Sequence, residues 1–210
     1  MDYSQFKQLE FRRKFWKIAG AEIYINEAAG NQEVGYIRMK AWKLREDIRI
    51  FTNRDMQQEL VQIHARQIID FGATYDVTNS STGQPIASLR RKGLKSTFVR
   101  DFWNIMDDSD NVIGTIQETS SILAIARRWL EILPYGDFIG LIFAFVPQTY
   151  VISMNQTDGS SAQVAALTHR KNPFIVKMSL DTSMAQVAVD PQLILSSTAL
   201  LSIIDAAKNN

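Results

Sequence analysis

The densest group of side chains able to hold a ligand is Arg90-Arg91-Lys92-Gly93-Leu94-Lys95-Ser96-Thr97-Phe98-Val99-Arg100, with five cations in eleven residues. Guanidinium groups grip phosphate oxygens in pairs and ammonium groups act as point charges. Arg90, Arg91, Lys92, Lys95 and Arg100 are therefore the candidate contacts for phosphate, including the headgroup of an anionic phospholipid. Strand alternation sends Arg90 and Lys92 to one face and Arg91 to the other, which weakens a shared site. The competing explanation is a solvated connector, the usual fate of a charge run. Arg38, Lys40, Lys43 and Arg45 form a thinner copy of the run.

Other chemistry is sparse. Asp107-Asp108-Ser109-Asp110-Asn111 has the acidity of a calcium loop but lacks the glycine and the distant glutamate of an EF-hand, so a hairpin turn is expected. His64 and His169 are the only histidines, and neither has a carboxylate cluster or second ligand near it in sequence. Cysteine is absent, as are a Gly-x-Ser-x-Gly elbow, a phosphate loop and a dinucleotide fingerprint. No catalytic residue, metal or cofactor is expected, and the chain is read as non-enzymatic.

A second candidate surface is apolar. Ile122, Leu123, Ile125, Ala126, Trp129, Leu130, Ile132 and Leu133 share half of a helical wheel, with Arg127, Arg128 and Glu131 opposite. This spacing predicts an amphipathic helical segment near 120–146. After Pro134-Tyr135-Gly136-Asp137, the stretch Phe138 to Val146 is uncharged but only nine residues long, too short to span a bilayer. It is a buried strand, a lid or an anchor. Trp129, Phe138, Phe143 and Phe145 are the candidate membrane or partner contacts, with Arg127 and Arg128 as phosphate contacts beside them. A protein partner, or a second copy of the chain, is the other candidate occupant of 122–146.

The elements that must position these groups are mostly strands. β-rich runs alternate with turn residues at Ala21 to Asn26, Val34 to Met39, Ile48 to Thr52, Leu60 to Ala65, Thr74 to Thr78, Ile86 to Arg91, Phe102 to Asp107 and Val112 to Thr119. They resume at Thr149 to Met154, Gln163 to His169 and Phe174 to Ser179. Phe6 to Ile18 mixes bases with aromatics. It is read as a first strand with water-facing Lys and Arg, the alternative being a basic-aromatic membrane contact. The meander repeats itself: Asn31 to Lys43 matches Gly83 to Lys95 at an offset of 52, with Gln, Arg, Lys and Lys identical. Repeated four-stranded units cannot bury their apolar faces singly and must close over something.

The filler is at the C-terminus. Asp190 suits an N-cap and Pro191 the first helical position, and Leu193, Ile194, Leu195, Ala199, Leu200, Leu201, Ile203 and Ile204 cover most of the wheel. Only a strip of Thr198, Ser202 and Asp205 is polar. The uncharged run Pro191 to Ile204 is 14 residues, roughly 21 Å of helix against a hydrocarbon core of roughly 30 Å. A helix apolar nearly all round and too short to span is buried in protein. The expected fold is a mainly β, closed antiparallel barrel around this helix, in one domain covering 1–210.

Composition narrows the partners. Of 210 residues 46% are hydrophobic and 21% charged, and the net charge is +1, so no global field draws the chain to nucleic acid. Without cysteine, and with an N-terminus unlike a signal peptide, the chain is read as cytoplasmic, with peripheral contact at the inner membrane face under the lipid-binding hypothesis.

Tyr75-Asp76-Val77, Ile86 to Lys95, Phe102-Trp103-Asn104-Ile105, Val112-Ile113-Gly114, Arg127-Arg128-Trp129 and Pro147-Gln148-Thr149-Tyr150, in that order, resemble the LURP-one-related proteins of the tubby C-terminal-like superfamily, which also holds the phospholipid scramblases. The resemblance covers about Phe6 to Ala207. It implies a twelve-stranded barrel around a central hydrophobic helix, and phosphoinositide or phospholipid headgroups as candidate partners; it assigns no residue to them. The acidic, calcium-associated stretch of scramblases is matched here only by Asp181 and Asp190, too few oxygens for a calcium site. Two functions stay open: a soluble interaction or ligand-sequestering module, and a peripheral phospholipid-binding or scramblase-related protein.

Overall fold

In a strand successive side chains face opposite sides, and the apolar members of each predicted run turn the same way. A computed structural model describes residues 3–16, 20–39, 47–67, 72–92, 102–119, 147–170 and 176–207. After a 3-10 turn at Tyr3–Gln5 come β1 (Gln8–Trp16), β2 (Gly20–Glu27), β3 (Glu33–Met39), β4 (Asp47–Phe51), β5 (Glu59–Gln67) and β6 (Thr74–Asn79). They are followed by β7 (Pro85–Arg91), β8 (Phe102–Met106), β9 (Val112–Glu118), β10 (Gln148–Asn155), β11 (Ser161–Arg170) and β12 (Val176–Asp181). The chain ends in helix α1 (Pro191–Ala207). The segment predicted as an amphipathic helix near 120–146 lies outside the described residues.

Every strand pairs antiparallel with its neighbours in the chain, and β1 closes the cylinder by pairing with both β2 and β12. Leu9 lies opposite Leu180 and Phe11 opposite Met178 across the closing seam. Among the described strands closure leaves none with an unpaired edge to recruit another chain.

The internal repeat is visible in the hydrogen bonds. Glu27 N–H donates to Gln32 O at 2.8 Å, and Asn79 N–H donates to Gln84 O at 2.9 Å, the same bond 52 residues on. Ala28 N–H to Gln8 O and Ser80 N–H to Leu60 O, both 3.1 Å, match at the same offset. The equivalence therefore reaches two strands further upstream than the sequence match, pairing β2 with β6 and β1 with β5. The matched turn positions Asn31 and Gly83 both adopt left-handed backbone, with φ of 52° and 71°, where asparagine and glycine are the tolerated residues.

Inward-facing Ile23, Ile37, Ile50, Ile63, Leu89 and Ile105 surround α1, whose Leu195, Ala199, Leu200 and Ile203 are buried with them. Asp190 caps the helix: its Oδ1 accepts from Gln192 N–H at 2.8 Å, satisfying an otherwise orphan donor. Asn79 Nδ2 donates to Gln192 Oε1 at 3.0 Å and ties the start of the helix to the end of β6.

Thr198 and Ser202 of the polar strip are buried inside the cylinder with the apolar faces of the helix, together with Ser196 and Ser197. Thr198 and Ser202 turn their hydroxyls back on the helix, donating to Ile194 O and Ala199 O at 2.8 Å. One expectation requires correction: not all the bases of β1 face water. Arg13 shares the inward face of Leu9 and Phe11 and is buried, and burial lowers its guanidinium to about 10.

Candidate functional site

Segments distant in sequence meet at the end of the barrel where α1 begins. The 3-10 turn is closed by Phe6 N–H donating to Tyr3 O at 3.2 Å, and the Tyr3 and Phe6 rings pack at 6.1 Å between centroids. Tyr3 Oη donates to Val34 O at 2.5 Å. Its burial pushes the phenol up to about 12, so it serves as a neutral anchor.

Opposite the turn runs the loop between β12 and α1. Thr182 N–H donates to Lys7 O at 2.8 Å and Gln186 N–H to Gln163 O at 2.9 Å. Gln186 Oε1 accepts from Gln163 N–H at 3.0 Å. Asp181 organises the first turn of the loop, accepting from Ser183 N–H at 2.8 Å and from Gln8 Nε2 at 2.9 Å. The Ser183 hydrogen bonds come first in holding its carboxyl below the usual range. Val187 and Val189 pack inward on the core.

Between turn, loop and helix lies an open cavity of about 380 Å³. Leu9, Leu180, Ile194 and Leu195, all core residues, form its floor, and Phe6, Val187 and Val189 its apolar walls. Ser4, Lys7, Thr182 and Gln186 supply side-chain polarity, and among the described residues Lys7 is the one charged member of the lining. Aliphatic walls with a few polar groups, at this size, are what small-ligand pockets are made of. Nothing in the spacing of residues 3–9 or 182–195 marks them as a site. The one available sign was the pair of inward-alternating valines before Asp190.

The basic run disperses. Arg90 Nε donates to Thr74 Oγ1 at 3.2 Å, and its Nη2 lies 3.9 Å from Asp110 Oδ1 on the outer wall. Asp110 also takes Arg66 Nη1 at 3.3 Å. Arg91, one residue on, places its guanidinium carbon 5.9 Å from the ring centre of the fully buried Trp103. Lys92 Nζ stands 4.8 Å over the Phe102 ring. Strand alternation thus separates Arg90 from Arg91 and leaves each with partners of its own. Lys95, Arg100, Arg127, Arg128, Trp129, Phe138, Phe143 and Phe145 lie outside the described residues.

The acidic and histidine candidates resolve as local structure. Asp107 Oδ1 accepts from Ser109 N–H at 2.9 Å and Asn111 N–H at 2.8 Å, and Oδ2 accepts from Asn111 Nδ2 at 3.0 Å. The Asn111 bonds lead in lowering its pKa. This is the expected hairpin turn, with its carboxylate spent on its own backbone. His64 lies exposed on β5 opposite Asp76, while His169 is buried on β11 opposite Gln148 and Met178. Among the described residues no group of three or more His, Cys, Asp or Glu side chains is placed to hold a metal ion, and no helix is long and apolar enough to cross a membrane.

A closed antiparallel barrel of twelve strands filled by an apolar C-terminal helix is the tubby-like architecture that the resemblance implied. Residues 33–202 match the model of the LURP-one-related family, and the chain belongs to that family. The match begins at β3, although β1 and β2 complete the cylinder. Comparison with curated proteins and with solved structures gives no match.

Proposed function

We propose that this LURP-one-related chain is a non-enzymatic binding domain that receives an apolar ligand in the cavity beside the start of α1. The observation that supports this reading is the cavity of about 380 Å³ whose floor is the hydrophobic core itself, through Leu9, Leu180, Ile194 and Leu195. Burying apolar ligand surface there removes both ligand and wall from water at roughly 25 cal/mol per Å². The floor includes the first turn of the central helix, so a ligand bound there adds contacts only the folded state has, and raises the melting temperature by mass action. The neutral fluorophore N-phenyl-1-naphthylamine tests this. It should brighten and saturate on the native chain, and Val189→Trp, which fills the cavity, should abolish the signal while the far-UV circular dichroism is retained. Equal signal from wild type and Val189→Trp would refute the reading.

A further inference from the structure

The groups at the rim of the cavity differ in kind from those at its floor. Leu9, Leu180, Ile194 and Leu195 are aliphatic and ask only for an apolar occupant. At the rim, Lys7 is exposed, and among the described residues its ammonium makes no ion pair. Gln186 spends its carbonyl oxygen on Gln163 N–H, leaving the amide N–H₂ as its remaining polar group. The backbone N–H groups of Val187, Ala188 and Val189 donate to no described residue. Asp181 and Asp190 are not among the described lining residues: Asp181 turns to Ser183 and Gln8, and Asp190 to Gln192 N–H as the helix cap. The Tyr3 hydroxyl is committed to Val34 O.

Resting on the pocket reading above, we infer that the ligand is a monoanionic amphiphile, an apolar chain carrying one carboxylate. The chain occupies the aliphatic floor and the carboxylate meets Lys7 and the donors of residues 186–189. A cationic head would meet Lys7 with no carboxylate among the described lining residues to offset the repulsion, and a doubly charged head would find one cation where it needs two. A neutral head forgoes the charge-assisted bond, which is the stronger kind.

The test is displacement of N-phenyl-1-naphthylamine from the full chain by decanoate, decanol and decyltrimethylammonium, each below its micellar concentration. Decanoate should displace at a concentration roughly fivefold lower than decanol, the scale of one partly exposed charge contact, and the ammonium compound should be weakest. High salt should narrow the gap between decanoate and decanol. Lys7→Met should bring decanoate to the level of decanol while leaving decanol unchanged, and Lys7→Glu should reverse the order of the two charged probes. Decanoate no better than decanol on the wild type, or a preference that survives Lys7→Met, overturns this inference while the pocket reading stands. Failure of the fluorophore and decanol to bind, or their equal binding to Val189→Trp, overturns the pocket reading as well.

Discussion

Replacing Leu200 by alanine removes the isobutyl group from a side chain only 1% exposed at the centre of the barrel. The helix around it packs against β5, β6, β7, β11 and β12, so no single neighbour can move in to fill the space without disturbing a closed ladder. Leu→Ala at such sites costs about 2–5 kcal/mol, the upper part of the range where the walls cannot collapse. Against a total of about 5–15 kcal/mol this is a large fraction, and for a domain of this size it lowers the melting temperature by about 2–4 °C per kcal/mol. The same helix supplies a control of opposite sign. Ser197 is fully buried and its hydroxyl has no hydrogen-bond partner among the described residues. Ser197→Ala removes a buried unsatisfied group and raises helix propensity, so it should be neutral or stabilising by about 1 kcal/mol. Urea titrations followed by circular dichroism measure both, with an unchanged m-value showing that the unfolded states are comparable. A Leu200→Ala loss under about 1 kcal/mol, or a Ser197→Ala loss equal to it, would refute the account of α1 as a dry, close-packed filler.

Gly114→Ala should destabilise by about 1–3 kcal/mol, because a Cβ there would stand 2.6 Å from Ser153 O and 2.7 Å from Met154 Sδ. Gly72→Ala, with nothing within 4 Å, should be close to neutral, and thermal melting of the pair shows whether the contact sets the cost. Tyr3 has its folded pKa raised from 10.0 to about 12 by burial, so its contribution is complete below the unfolded value and is lost as pH rises through the folded one. Urea midpoints across that window should fall less steeply for Tyr3→Phe than for wild type, and parallel curves would count against Tyr3 as a neutral anchor of the N-terminal turn.

The sequence by itself determined what depends on neighbours a few residues away. Period-two alternation placed the strands from Ala21 onward, Asp190-Pro191 marked the start of α1, and the 52-residue offset announced turns that share left-handed backbone at Asn31 and Gly83. The apolar circumference from Leu193 to Ile204 required burial before any strand order was known. What the tertiary structure decided is whatever needs residues far apart to meet. Arg12, Arg13 and Lys14 look alike in sequence, and only the closure of β1 against β12 makes the Arg13 face an interior. Strand alternation already parts Arg90 from Arg91, but only the tertiary structure gives them their partners, Asp110 for the one and the Trp103 ring for the other. The cavity is built from Tyr3, Val164, Leu180 and Ile194, which no local period connects. They become neighbours because the first strand of the chain closes on the last, and the helix that follows that last strand turns back into the cylinder.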